Sequence, residues 1–330
     1  MKKLSLWGFP MLLPPILGGL WLFGTSATSL TAFQMPAIAK PQVSQANCGA
    51  RAAVRLTSTS PDVTMLCVSG GTILVNGRNA PNFVLSDIIA KAFGPIFRAE
   101  GAPGLQVRRV ASTAARADPV LGLGLVNVSN GIGNAVFRDL VWIGDTKYPA
   151  TNSDDAWAAI ALKGKDANDV GSFEIKNFDF QNLHMASGKN YANVDGISTE
   201  AGYSGTILNG RVLNASDACL DIKGDVTVDN VQVSGCRQGL KIWRSQQHGL
   251  IELGTNRFVG IIGKGKIGVT RQIDVSVLIA SGDPKVPLFR GEDGPVTLHI
   301  GRLVADRAQV LNSSSSYAGS KVIVDQRIYD

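Results

Sequence analysis

One short pattern recurs through the middle of this 330-residue chain and limits what the chain can become. It reads Phe137-Arg-Asp139-Leu-Val-Trp142, then Ile175-Lys-Asn177-Phe-Asp-Phe180, Ile207-Leu-Asn209-Gly-Arg-Val212 and Val228-Asp-Asn230-Val-Gln-Val233. Each copy sets Asn or Asp two residues after an apolar residue, with another apolar residue three further on. The interval between copies shortens along the chain, and the last, from Ile207 to Val228, is the shortest. That interval is about one turn of a parallel β-coil, and the longer ones leave room for loops. Alternation within each copy faces one set of side chains inward and the other outward. Few two-residue turns separate the copies, which argues against hairpins. A repeat of this size is the mark of a solenoid of stacked strands, in which asparagines align along the coil axis and bond to one another. A β-sandwich is the competing arrangement. The expected fold is all-β, a right-handed single-stranded parallel β-helix over residues 104–330.

Upstream, Val84, Leu85, Ile88, Ile89, Ala92 and Phe93 fall at helical spacing, and Gly94-Pro95 ends the run. This spacing predicts an amphipathic α-helix over 83–94. It belongs to an N-terminal segment, 40–103, and is expected to cap the open end of the solenoid, where apolar interior and strand edges would otherwise be exposed. The segment 1–39 differs in character. After Met1-Lys2-Lys3 no charge appears until Lys40, and Leu4–Phe23 is mostly apolar. A basic start, an apolar middle and Ala37-Ile38-Ala39 make a signal peptide, with Ser26-Ala27 as an earlier site and a retained anchor as the alternative. The expected destination is the periplasm or the exterior of a bacterium, with no membrane contact once the signal is cleaved.

Removing 1–39 takes away Lys2 and Lys3 and no acids, so the net charge falls from +6 to +4. A mildly basic exported protein suits an acidic polymer. No basic run with interleaved aromatics points to nucleic acid. Three histidines leave little for a His-rich metal site. The four cysteines form two local pairs, Cys48 with Cys67 and Cys219 with Cys236, as disulfides or as buried thiols. No C-x-x-C occurs.

Three stretches carry a family resemblance: Asn193-Val-Asp195-Gly-Ile197, Ser216-Asp217-Ala-Cys219-Leu, and Cys236-Arg-Gln-Gly239-Leu-Lys-Ile242. Together they resemble the pectin-lyase-like β-helix superfamily, and within it the polygalacturonase group of glycoside hydrolases. That group carries Asn-Thr-Asp, then Asp-Asp-Cys, then Gly-His-Gly, at about one coil each. The resemblance implies a Cys219–Cys236 disulfide, Asp217 as proton donor and Asp195 as a second carboxylate. Ala218 stands where a second paired aspartate would be, and Gln238 where the His would be. Inverting hydrolysis needs two carboxyls flanking the sugar bond.

The same superfamily contains lyases that cleave uronic-acid polymers by β-elimination, using Lys and Arg about one coil apart. Here Lys223 and Arg244 have that separation, in Leu220-Asp-Ile-Lys223-Gly and Leu240-Lys-Ile-Trp-Arg244. With Leu220, Ile222, Leu240 and Ile242 inward, Lys223, Lys241 and Trp243 face outward, and Arg244 is left for a strand end or turn. Lys241 competes as the partner of Lys223. Trp243, Tyr191 and Tyr203 offer sugar platforms, and His248 lies beside the suspected cleft in sequence. No motif supports calcium, and no cofactor is expected. The expectation is a monomeric lyase acting on an acidic polysaccharide through Lys223, Arg244, Asp217 and Asp195, with Lys241, Trp243, Tyr191, Tyr203 and His248 binding substrate. A polygalacturonase-like hydrolase and a non-catalytic glycan-binding β-helix are the alternatives.

Overall fold

The computed structural model describes residues 32–43, 54–56, 60, 62–69, 73–75, 81–91, 94–117, 123–150, 157–164, 170–185 and 193–330. By contact the chain forms two units, residues 1–31 and 32–330, and only the second is described below. Among the described residues there is no helix, and twenty-one strands run from Val54–Leu56 to Lys321–Tyr329. They form two sheets, one of ten strands and one of eleven. Consecutive strands alternate between the sheets until the last, and neighbouring strands within each sheet pair in parallel. A chain that visits two parallel sheets in turn is a parallel β-helix.

The repeat supplies the reason. In the eleven-stranded sheet, Leu85, Val107, Phe137, Ile175, Ile207 and Val228 stack in register and are buried. Three residues on, Ile88, Val110, Leu140, Phe178, Gly210 and Val231 stack in the same way. Strict alternation would turn one of these two sets outward. The residue before the second set resolves the conflict. Asp87, Arg109, Asp139, Asn177, Asn209 and Asn230 all adopt left-handed backbone, with φ between 51° and 58°. Each bends the strand and adds one residue, so both apolar sets face the core. Asn and Asp enter this region at the least cost among residues with a side chain. The asparagines also bond along the column: Asn177 Nδ2 donates to Asp139 Oδ1 (3.1 Å) and Asn230 Nδ2 to Asn209 Oδ1 (2.9 Å). A second column repeats this at Asn182 and Asn214 (3.2 Å). Gly210 fills the smallest inward place, since a Cβ there would fall 2.5 Å from the Phe178 ring.

The expected capping helix is corrected. Val84–Lys91 is a strand of the eleven-stranded sheet, flanked in parallel by Val63–Ser69 and Gln106–Ala115. The i, i+3 spacing of Leu85 and Ile88 comes from the extra residue at Asp87, not from a helical turn. Ala92 and Phe93 lie outside the described residues. The sheets also begin well upstream of residue 104. Residues 32–43, which contain the suggested cleavage site, are irregular. Ala39 N–H donates to Asp139 Oδ1 (3.2 Å) and Gln42 N–H to Asp87 Oδ1 (3.0 Å). This segment encloses a cavity of about 430 Å3 with Ile89 and Val141.

Cys219 and Cys236 form a disulfide across one coil. Cys48 lies outside the described residues, and with it the Cys48–Cys67 pairing.

The left-handed column makes a testable demand. Asn230→Ala keeps the strained φ and loses the bond to Asn209, so it should lower unfolding stability by about 1–2 kcal/mol. Asn230→Gly relieves the strain and should recover part of that loss in urea unfolding. A glycine variant no more stable than the alanine one would remove backbone strain from the explanation.

Candidate functional site

The charged residues of the motifs that carry the resemblance gather on the outward side of the ten-stranded sheet. Coil length brings them together. Ser198, Asp221, Lys241 and Ile262 stack in register, one from each of four successive coils. Leu220, Leu240 and Ile261, one place earlier, point into the core. Lys223 and Trp243 follow Ile222 and Ile242 and share the outward side, and Lys264, after Gly263, takes the next place in that row. The parity reading of Lys223, Lys241 and Trp243 therefore describes where these side chains lie.

Three aspartates form the acidic part. Asp217 closes the turn before strand Ala218–Ile222. Its N–H donates to Val194 O (3.0 Å), and Arg257 Nη2 donates to the preceding carbonyls of Ala215 and Ser216 (2.9 Å each). Gln238 Nε2 donates to Asp217 Oδ1 (3.1 Å), and Arg237 Nη1 stands 3.8 Å from the same oxygen. Asp195 is wholly buried; its Oδ1 accepts the Ala218 N–H (2.9 Å), and its Oδ2 has no partner. Asp221 accepts from Trp243 Nε1 (2.6 Å) and pairs with Lys241 Nζ (3.5 Å).

Burial pushes the Asp195 carboxyl well above the usual carboxylate range, with Asp221 and Asp217 adding to the effect and Ala218 N–H and Lys241 opposing it. Burial also raises Asp217, against Lys241 and Arg237, with Asp221 adding to the rise. Asp195 and Asp217 thus hold a proton more tightly than an ordinary carboxyl, set beside fixed cations.

The basic part surrounds one indole. Lys223, Lys241 and Lys264 stand 5.7, 5.2 and 5.2 Å from the centre of the Trp243 ring. Lys223 bonds Glu200 (2.7 Å); burial works most strongly against its charge, but Glu200 together with Asp221 and Asp195 outweighs it and its pKa rises. Lys264 is held by Glu292 (3.0 Å) and Asp293 (2.7 Å).

Other expected residues lie elsewhere. Arg244 sits beyond the strand end, exposed, with Nη2 on Ala201 O (3.1 Å). Tyr203 is corrected: it is buried, its hydroxyl donating to Lys163 O (2.5 Å) and accepting from Gly131 N–H (3.2 Å), so it offers no ring to a sugar. His248 is corrected likewise. It is buried, its Nδ1 accepts the Val228 N–H (3.2 Å), and burial lowers its pKa to about 4. Tyr191 lies outside the described residues. Asp221, Glu200, Arg237 and Lys264 were not singled out from sequence. Asp221 was within reach, because the same parity that turns Lys223 outward turns Asp221 outward.

Among the described residues, no group of three or more His, Cys, Asp or Glu side chains is disposed to hold a metal ion. No known family model, curated protein or solved structure matches the chain, so the likeness to the superfamily rests on the quoted motifs and the parallel β-helix.

The buried carboxyls fix a pH dependence. Asp195 and Asp217 hold protons more tightly folded than unfolded, so above about pH 4 the folded state carries more protons and stability falls as pH rises through their folded values. Asp195→Asn abolishes its share of that fall and keeps the bond to Ala218. In thermal unfolding it should be more stable than wild type near about pH 8, with the gap closing towards about pH 4. A variant less stable at the alkaline end would contradict a neutral Asp195.

Proposed function

We propose that this chain is an exported enzyme that cleaves an acidic polysaccharide by β-elimination on the outward face of the ten-stranded sheet. The observation that carries the reading is Lys241. It is paired with Asp221, stands against Trp243, and lies close enough to Asp195 and Asp217 to act on the protonation of both. In this reading the uronate carboxylate meets Lys241 and Lys223. Neutralising its charge acidifies the adjacent C–H. The Asp221 carboxylate takes that proton as the C–O bond to the leaving sugar breaks. Asp217, whose pKa burial raises, gives a proton to the leaving oxygen. Trp243 stacks on a sugar ring, and Arg244 stands on the rim. The disulfide accords with an oxidising compartment.

Hydrolysis is the second reading, favoured by one observation: Asp195 and Asp217 are two neighbouring carboxyls raised by burial and by the company of other carboxyls.

Purified protein mixed with polygalacturonate or alginate should develop the ultraviolet absorbance of an unsaturated uronate. Asp217→Asn and Lys241→Ala should each slow it by roughly 100-fold or more. New reducing ends without that absorbance would transfer the reading to hydrolysis. Neither signal, with polymer still bound, would leave a glycan-binding β-helix.

A further inference from the structure

A second aromatic group lies at the opposite edge of the same face. Phe258 directly precedes strand Val259–Lys264 and is 38% exposed, unlike most large apolar side chains of this chain. Its N–H donates to Arg237 O (2.9 Å), which sets it one coil from Arg237 at the edge where these strands begin. The Arg237 and Arg290 guanidiniums stand 5.8 and 5.0 Å from its ring centre. Arg237 has donors to spare. The Arg237 side chain is 55% exposed, and its contact with Asp217 is a 3.8 Å ion pair rather than a hydrogen bond. Arg290 Nε is buried without a hydrogen-bond partner; Glu292 Oε1 lies 3.3 Å away but out of line.

Trp243 lies six residues beyond Arg237. At about 3.3 Å per extended residue, the two aromatic groups stand at most about 20 Å apart, linked through Arg290, Glu292 and Lys264. Asp217 belongs to the Phe258 edge, and Asp221 and Lys241 lie between the two edges. Each edge thus has a ring able to stack on a sugar and cations able to meet its acid group. Guanidinium forks match a carboxylate in two-point geometry, whereas the lysines at Trp243 act as point charges.

We propose that Phe258, Arg237 and Arg290 form a second sugar subsite that takes an acidic ring of the same polymer. The substrate is then gripped on both sides of Asp221 and Lys241, with Asp217 at the Phe258 end, and cut within the chain. This rests on the reading of the face as a polysaccharide site, and deepens it to a polyanion with acid groups on units several rings apart.

The test measures binding of polygalacturonate, galacturonate monomer and neutral dextran by calorimetry at one fixed salt concentration. Phe258→Ala should weaken polymer binding about tenfold and leave any monomer binding at the Trp243 edge unchanged. Arg290→Gln is a second variant with the same expectation, and matching thermal unfolding shows that each variant is folded. Polymer binding unchanged in both folded variants would overturn the subsite even if the wild type cleaves the polymer. A Phe258-dependent loss of binding in a protein that cleaves nothing would keep the subsite and remove the catalytic reading. Wild-type protein that binds no acidic polymer, or binds dextran equally well, would also overturn it.

Discussion

Every coil of the eleven-stranded sheet from Asp87 to Asn230 carries a left-handed residue at the same place in its register. Without that residue a strand holding apolar side chains at i, i+3 and i+5 would turn some of them to solvent. With it, both apolar sets pack inward and the sheet bends around the core. The backbone cost, about 1–2 kcal/mol per residue for an ordinary side chain, is reduced by using Asn or Asp and offset by bonds between stacked amides. Arg109 is the exception in the column. Its guanidinium takes both oxygens of Asp87 at 2.7 Å. That pairing, against the burial that opposes it and with help from Gln42 N–H, holds the Asp87 carboxyl down at about 2. Below about pH 4, protonation of Asp87 begins to remove this contribution.

The opposite sheet inherits its order from this one. Because coils between Asp195 and Lys264 are close to one length, residues of like parity stack into rows on the outward face. Placing Asp195 and Asp217 under such a row buries charge-bearing groups, which is unfavourable unless they stay neutral or find partners. The structure uses both routes. Asp221 is bonded by Trp243 and Lys241, while Asp195 keeps one oxygen unpartnered. Groups held off their ordinary protonation beside cations are a recurrent feature of catalytic sites, and they gather here on the face that carries the family-like motifs.

Much of this was legible before any coordinates. Phe137, Ile175, Ile207 and Val228 announced stacked strands because each parallel coil repeats the same inward positions. Parity placed Lys223, Lys241 and Trp243 outward and left Arg244 to a turn. The misreading at 83–94 has the same origin as the success: an added left-handed residue gives i, i+3 spacing, which in isolation matches a helix. Tyr203 and His248 misled for another reason. A polar tip does not reveal direction, and both side chains are buried, with the Tyr203 hydroxyl and His248 Nδ1 on backbone groups. Lys264 escaped notice because its partners come from other coils, and only the coil lengths, set partly by loops, decide those meetings.

The site proposed for an acidic polysaccharide is the outward face of the ten-stranded sheet, over Asp217, Asp221 and Lys241. The most direct measurement is a crystal structure of the Asp217→Asn protein soaked with an acidic oligosaccharide. The expected result is a sugar ring stacked on Trp243, with its carboxylate on Lys241 or Lys223. Sugar bound instead on the eleven-stranded sheet, or in the cavity beneath residues 38–43, would contradict it.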